Sequence, residues 1–284
     1  MSIEKIAVIG AGTMGHGIAQ VAAQAGYAVV LVDVSEEMTA RGLSKIEDNL
    51  KKGVERGKVT DAEMREALSR LRPSTNLQDA ASQAHLIIEA VVENLEAKRG
   101  LFSQLDSICP AEAILATNTS SLSIESIASA TARTDRVIGM HFFNPVHIMK
   151  LIEVVVGPAT SSETLSAALD VAARMGKEAI TVKDAPGFAT SRLGVALGLE
   201  AMRMLESGVA SAEDIDKAMA LGYNHPMGPL RLTDLVGLDI RLSIADYLFE
   251  KLGSEVFRPP EILRRKVSEG KLGKKTGEGF YKWD

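Results

Sequence analysis

The chain has 284 residues, a length that predicts about two domains and a sizeable core. Its 32 basic and 37 acidic side chains give a net charge of −5, which argues against a nucleic-acid partner. No apolar run reaches the ~18 residues of a membrane helix, and the first residues lack a signal-peptide pattern. The single cysteine, Cys109, excludes an internal disulfide and fits a reducing compartment, so we expect a cytoplasmic protein without membrane association.

A glycine-rich stretch opens the chain. Residues 6–17 read IAVIGAGTMGHG, in which an apolar run meets Gly10, Gly12 and Gly15 and then a helix-compatible sequence. This order predicts a strand, a tight turn and a helix that bind a dinucleotide, with backbone N–H groups at the helix start available to phosphate. A second predicted strand, residues 28–32, ends at Asp33, near the offset of a ribose-binding carboxylate.

Helices and strands then alternate. Ser35 and a Thr60–Glu63 capping box predict helices that end near residues 56 and 71. Nearly all-apolar runs at 85–92, 113–117 and 136–142 predict parallel strands covered on both faces, separated by helices at 95–108 and 124–130. The connection to 151–156 is too short for a crossover helix, which predicts an antiparallel partner for the preceding strand. A helix at 162–175 and a strand at 179–183 follow.

The pattern changes at residues 184–187, which read DAPG. Beyond them apolar residues recur at helical spacing, which predicts helices at 188–207, 211–222, 234–251 and 261–268. We therefore predict an α/β domain over residues 1–185, built on a doubly wound, Rossmann-type, mostly parallel sheet. An all-helical domain over residues 186–284 follows it.

The carboxyl ends of the predicted strands carry polar residues, where an open parallel sheet binds ligands. His141 is the natural proton carrier there, because oxidation of an alcohol also removes the hydroxyl proton. In a hairpin folded about residue 147, positions 141 and 153 face each other, so Glu153 would orient the His141 ring. The alternative is a structural histidine at a strand end. His147 and His225 are the rival candidates for the base, and we expect each of them to be structural.

A row of mostly basic residues lies on the predicted helix after Asp33. We call it the basic stripe; its members step by three or four positions and occupy an arc of about 80°. They are Arg41, Lys45, Asn49, Lys52 and Arg56. In an acidic domain this row indicates either a phosphate contact or a solvated face paired with Glu37 and Glu55, and the spacing alone leaves both open.

These motifs resemble the L-3-hydroxyacyl-CoA dehydrogenase family, especially its stand-alone bacterial 3-hydroxybutyryl-CoA members. The resemblance runs nearly end to end. It is carried by GAGTMG at 10–15, VVEN at 91–94, ATNTSSL at 116–122, HFFNPV at 141–146, KLIEVV at 150–155, DAPGF at 184–188, NHPMGP at 224–229 and GKKTGEGFY at 273–281.

The resemblance implies roles for individual residues. His141 would be the catalytic base, Glu153 its partner and Ser120 a contact near the substrate oxygen. Asn49 and Arg56, with Lys52 between them, match the region that contacts coenzyme A. Ser191 stands where the family has an active-site asparagine. The implied NAD contacts are Gly10, Ala11, Gly12, Thr13, Met14, Gly15, Asp33, Glu93, Lys98, Ser120, Asn144 and Lys275.

The implied reaction is the reversible, NAD-dependent oxidation of a (S)-3-hydroxyacyl-CoA to the 3-oxoacyl-CoA. The resemblance also implies a homodimer formed through the helical domain, which closes the substrate cleft, and no metal. A free-acid β-hydroxyacid dehydrogenase, which would use a lysine base, and a non-enzymatic NAD-binding relative are the alternatives. The sequence does not fix acyl chain length, physiological direction or pathway.

Overall fold

The computed structural model describes residues 2–283, and the chain divides between Ala185 and Pro186 into two compact units. The strands of the first unit are β1 Lys5–Ile9, β2 Ala28–Val32, β3 Leu71–Ser74, β4 Leu86–Glu89, β5 Ile114–Thr117, β6 Val137–Phe142, β7 Leu151–Val156 and β8 Glu178–Lys183. Its helices are α1 Gly15–Gln24, α2 Glu36–Glu55, α3 Asp61–Ser69, α4 Leu77–Ala81, α5 Leu95–Ile108, α6 Ile124–Ala128 and α7 Ser162–Arg174.

Within the described residues the strands form one sheet in the order β3-β2-β1-β4-β5-β6-β7-β8. All neighbours are parallel except β6 and β7, so the predicted doubly wound, mostly parallel sheet is confirmed. The strand order reverses between β1 and β4. In such sheets ligands bind at this point, beyond the carboxyl ends of the strands.

The central strands are apolar at successive positions because both faces of the sheet are covered. Ile6, Ala7 and Val8 of β1 are each at most 1% exposed, although their side chains alternate between the faces. Capping residues fix the helix starts: Ser35 Oγ accepts from Met38 N before α2, and Thr60 and Glu63 form the predicted capping box before α3.

In this unit one predicted strand end was wrong and one strand was missed. β4 ends at Glu89 rather than at residue 92, and beyond it the Val91 N–H donates to the Glu89 side chain instead of to a neighbouring strand. β3 was missed altogether, because its sequence LRPS is short and has no apolar alternation. Among the described residues it pairs only with β2, and proline is tolerated on such an edge strand.

The second unit is helical within the described residues, apart from isolated bridges at Gly273–Glu278 and Glu278–Lys282. Its helices are α8 Thr190–Glu206, α9 Ala212–Lys217, α10 Pro229–Val236, α11 Leu238–Leu252 and α12 Glu261–Ser268. The predicted helix at 234–251 is divided at Gly237, whose φ of +104° is not helical. A wider turn, Ala218–Gly222, continues α9.

Candidate active site

The glycine-rich turn joins β1 to α1, and its three glycines have different surroundings. Gly10 has φ +102°, and a Cβ there would lie 2.6 Å from the Ala90 carbonyl oxygen. A Cβ on Gly15 would lie 1.6 Å from the Gly10 carbonyl oxygen, so α1 reaches this turn only because Gly15 has none. At Gly12 no described atom lies within 4 Å of the Cβ position. The turn is therefore closely packed at Gly10 and Gly15, and has space for a phosphate at Gly12.

Asp33 lies beside this turn at the end of β2. Its Oδ2 accepts a hydrogen bond from Ala11 N at 2.7 Å, and its Oδ1 accepts one from Val34 N, also at 2.7 Å. Thr13 is exposed, and Met14 directly precedes the first residue of α1. A helix N-terminus with open space before it and a carboxylate at its side fits the pyrophosphate and adenosine ribose of NAD.

His141 and Glu153 lie opposite each other in register on β6 and β7. His141 Nδ1 is 2.7 Å from Glu153 Oε2. Glu153 is fully buried and His141 is 7% exposed. A carboxylate at this distance holds the imidazole in one orientation and stabilises its protonated form. This is the pairing predicted for a hairpin folded about residue 147.

Neighbouring side chains fix the strand end that carries His141. Asn118 Oδ1, just beyond β5, accepts a hydrogen bond from Phe142 N at 2.8 Å. The Phe143 ring lies against the imidazole, with a distance of 4.5 Å between the ring centroids. Asn144 follows and is exposed. His141 therefore projects from a strand end that contacts with β5 and β7 hold in place.

Ser120 and Glu93 come together from two different strand ends. Glu93 Oε1 accepts hydrogen bonds from Ser120 N at 2.8 Å, from Ser120 Oγ at 3.2 Å and from Thr119 Oγ1 at 2.6 Å. The loop after β5 is therefore fastened to the segment after β4. Both residues follow strands next to the point at which the strand order reverses.

Lys98 is buried beneath this loop rather than exposed on the cofactor side. It is 1% exposed, and its Nζ lies 2.6 Å from Glu89 Oε1 and 3.4 Å from Glu93 Oε2. The resemblance implies that Lys98 contacts the cofactor, and this stays a prediction. What the structure shows is a buried ammonium that joins two carboxylates.

A cleft of about 320 Å³ opens beside the C-terminal half of α2. Its lining contains cations and amides but no carboxylate: Gln20, Gln24, Asn49, Lys52, Gly53, Arg56, Lys58, Val59, His147 and Ile148. Asn49 Nδ2 donates to Gln20 Oε1 at 3.2 Å. Three members of the basic stripe thus line the cleft, and Arg41 and Lys45 do not.

The alternative interpretation of the basic stripe, a face of ion pairs, is not what residues 2–283 show. None of its four cations lies within 4.0 Å of a carboxylate, whereas the neighbouring Lys51 pairs with Glu47 at 2.7 Å. Unpaired cations around a concave surface favour an anionic ligand.

Two histidines lie near the basic stripe. Partial burial lowers the pKa of His147, and the nearby His16 and Lys177 lower it further. Burial also lowers the pKa of His16; the Gly12 carbonyl, 2.6 Å from its Nδ1, opposes this, and Lys45 adds to it. Both imidazoles are therefore harder to protonate than a free histidine side chain.

The remaining predicted residues belong to the second unit. Ser191 lies in the first turn of α8 and is partly buried. Lys275 lies on a short turn, Lys274–Thr276, where its Nζ is 2.6 Å from both carboxylate oxygens of Asp239. His225 is partly buried, and its backbone N donates to Met219 O.

Sequence reasoning missed Glu89 and Lys58 as candidates, and it considered His147 only as a rival of His141 for the base and not as part of the cleft. Glu89 is a charged residue within an otherwise apolar strand, and that exception was the available signal. Nothing local linked Lys58 to His147, since the chain brings them to the same cleft from positions far apart in sequence. Over residues 2–283, no helix is both long and apolar enough to span a bilayer, and no cluster of His, Cys, Asp and Glu is arranged to hold a metal ion.

Comparisons with known proteins agree with this geometry. The family model described as the NAD binding domain of 3-hydroxyacyl-CoA dehydrogenase matches residues 5–185, and that of the C-terminal domain matches residues 187–283. The chain is 48% identical over 284 residues to a Bacillus subtilis protein named "Probable 3-hydroxybutyryl-CoA dehydrogenase", covering 100% of this chain and 99% of the other. It is 46% identical over 287 residues to the mitochondrial hydroxyacyl-coenzyme A dehydrogenase of Homo sapiens, covering 99% and 91%.

Among solved structures, the (S)-3-hydroxybutyryl-CoA dehydrogenase of Ralstonia eutropha is 41% identical, with a TM-score of 0.97 and full coverage of both chains.

Proposed function

Because the chain belongs to the 3-hydroxyacyl-CoA dehydrogenase family, we propose that it catalyses the reversible, NAD-dependent oxidation of a (S)-3-hydroxyacyl-CoA to the 3-oxoacyl-CoA. We propose 3-hydroxybutyryl-CoA as the substrate, since the similar bacterial proteins carry that name. The observation that carries the mechanism is the pairing of His141 Nδ1 with the buried Glu153 at 2.7 Å.

His141 acts as the proton carrier. Glu153 holds Nδ1, so Nε2 is the nitrogen that takes the substrate hydroxyl proton as the C3–H bond breaks. The resulting imidazolium is stabilised by the Glu153 carboxylate, which is fully buried and therefore interacts with it strongly. Ser120, held by Glu93, contacts the same substrate oxygen. In the reverse direction His141 returns the proton.

The first unit supplies the cofactor contacts. Bound NAD would supply the acceptor for the hydride that leaves C3 of the substrate. The N–H groups at the start of α1 would bind its pyrophosphate beside Gly12, and Asp33 would accept hydrogen bonds from the adenosine ribose. Glu93, Lys98 and Asn144 of the same unit complete these contacts, with Lys98 acting through Glu93, and Lys275 is a cofactor contact proposed from the second unit.

The cleft beside α2 binds the nucleotide end of coenzyme A. Its phosphates are anionic, and Lys52, Arg56 and Lys58 line the cleft without a competing carboxylate. Asn49 contributes an amide. These residues bind the invariant part of the substrate, while His141 acts on the acyl part.

The second unit completes the enzyme in this proposal. It carries Ser191, which by the family resemblance acts at the reacting end of the substrate, and it forms a homodimer. Its exposed apolar side chains support the homodimer; they include Leu193, Leu221, Tyr223 and Ile240. Light scattering of the purified chain tests the dimer. The reduced, buried Cys109 supports a cytoplasmic location.

The function is tested with a chain-length series of 3-oxoacyl-CoAs, each assayed with NADH and with NADPH. The proposal expects turnover with NADH and the highest kcat/KM at four carbons. Turnover of a free 3-hydroxy acid by wild type and by His141→Ala alike would instead indicate the lysine-based β-hydroxyacid dehydrogenase. Tight NADH binding without turnover of any thioester would indicate a non-enzymatic relative.

A further inference from the structure

Glu89 is a fully buried carboxylate to which the proposed mechanism gives no role. It ends β4, the strand beside the point at which the sheet order reverses, and it is 0% exposed. Three donors surround it: Val91 N at 2.7 Å and Lys98 Nζ at 2.6 Å on Oε1, and Thr117 Oγ1 at 2.6 Å on Oε2. A buried charge that is so fully paired is costly to build and is not needed to stabilise a core.

The contacts of Glu89 lead to Ser120 by two routes. On one side, Lys98 Nζ joins Glu89 to Glu93, which accepts from Ser120 N and Oγ. On the other side, Thr117 Oγ1 donates to Glu89 and accepts from Thr119 N at 3.2 Å. Thr119 Oγ1 then donates to Glu93 Oε1 at 2.6 Å and closes the ring. We call these five residues, Glu89, Glu93, Lys98, Thr117 and Thr119, the Glu89 ring.

A third contact connects the ring to the glycine-rich turn. Glu89 accepts the Val91 N–H, and this fixes the Ala90–Val91 segment. The Ala90 carbonyl oxygen is the atom that lies 2.6 Å from the Cβ position of Gly10. Glu89 therefore lies between the turn that receives the cofactor pyrophosphate and the loop that carries Ser120.

We propose that Glu89 is a positioning residue that sets the Glu93–Ser120 loop against the glycine-rich turn through Lys98 and Thr117. This rests on the proposed function. In Glu89→Gln, Lys98 keeps only Glu93 as a charged partner and moves toward it. That movement draws Glu93 Oε1 away from Ser120 and Thr119. A displacement of about 1 Å at a reacting group costs up to ~10²-fold in rate.

The test compares kcat, KM for acetoacetyl-CoA, NADH affinity by fluorescence and the melting midpoint in the full-length protein. Glu89→Gln should lower kcat by about 10–100-fold and weaken NADH binding. Its KM for acetoacetyl-CoA should stay within about threefold, because the coenzyme A handle binds elsewhere. Glu112→Gln is the matched control: Glu112 is exposed and precedes β5 at the opposite end of the strand, so kcat should not change.

A second pair of variants covers the case in which Glu89→Gln does not fold. Thr117→Val is isosteric and removes the hydroxyl from the ring, whereas Thr117→Ser keeps it. The proposal expects kcat to fall in the valine variant and to recover in the serine variant. Equal kcat in the two, or a Glu89→Gln protein with a lower melting midpoint but wild-type kcat, would show a purely structural role and overturn the proposal.

Failure of the proposed function would look different. A wild-type protein that turns over no thioester would refute the activity. NADH affinity would still test the ring: Glu89→Gln and Thr117→Val should bind NADH about tenfold more weakly than Thr117→Ser.

Discussion

Glu153 Oε2 lies 2.7 Å from His141 Nδ1 across the antiparallel pair β6 and β7, and the carboxylate is fully buried. Because β7 also pairs with β8, Glu153 sits within the sheet and not at its edge. The rigid strand pair, and not a flexible loop, sets the orientation of the imidazole.

His141→Ala should lower kcat by ~10²–10⁴, the usual cost of losing a positioned proton acceptor. Glu153→Gln should lower it too, because the imidazolium loses its countercharge. NADH affinity should remain near wild type in His141→Ala, as measured by fluorescence titration. Wild-type kcat in either variant, with a deuterium isotope effect showing that chemistry limits the rate, would refute the pair.

The position of Asp33 predicts a preference for NAD over NADP. Its carboxylate lies beside Ala11 N at the turn, where it would repel a 2′-phosphate. The measurement is kcat/KM with NADH and with NADPH. Asp33→Asn should bring these two values of kcat/KM closer together. An equal or higher kcat/KM with NADPH in the wild type would contradict this assignment.

Reversing Lys52 and Arg56 together to glutamate should raise KM for the acyl-CoA several-fold to tens-fold. Exposed charge pairs contribute ~0.2–1 kcal/mol each, and the new charges also repel the phosphates. The increase should shrink as salt rises. A truncated thioester without the nucleotide should show unchanged kinetics.

Lys51 offers a matched control for this charge reversal. It adjoins Lys52, pairs with Glu47 and does not line the cleft. Lys51→Glu should therefore raise KM much less than Lys52→Glu does. If Lys51→Glu and Lys52→Glu raise KM equally, the coenzyme does not bind in this cleft. The same conclusion follows if the double reversal raises KM for the truncated thioester as much as KM for the acyl-CoA.

Ser191→Asn restores the residue that the family resemblance leads us to expect. A serine hydroxyl is shorter than an asparagine amide and needs a water to reach the same partner. The variant should be tolerated or should raise kcat. Loss of activity in a variant that remains folded by circular dichroism would show that the pocket is adapted to serine.

His16 and His147 predict a fall in stability at acid pH. Burial lowers the pKa of both in the folded state, so below the ordinary value of about 6.5 the unfolded chain binds more protons than the folded one. The free energy of unfolding should therefore decrease as the pH falls through that value.

Urea unfolding at pH 7.5 and at pH 6.0 measures this decrease. A double variant, His16→Gln with His147→Gln, should show a smaller decrease than wild type. His225→Gln, in the other unit, controls for the loss of a histidine as such. If the free energy of unfolding falls as much in the double variant as in wild type, groups other than these two histidines cause the fall.

The sequence by itself determined the features that depend on neighbouring residues. The strand, turn and helix around Gly10 and the caps at Ser35 and Thr60 are local, because each needs only a few consecutive residues. The facing of His141 and Glu153 is also local, since the register of a short antiparallel connection follows from counting residues about its centre. Gly237 could have been recognised as a helix break, but its neighbours are apolar at helical spacing.

Only the tertiary structure decided which distant segments meet. Parallel strands are joined by long connections, so no local pattern says that β4 lies between β1 and β5. That neighbourhood gives Glu89 its contacts with Lys98 and Thr117. In the same way, packing of α2 near the turn after β6 brings Lys52 and His147 to one cleft. The charges and hydrogen bonds around Glu89 and in the cleft beside α2 come from residues far apart in sequence. Burial of these groups sets the strength of the interactions between them.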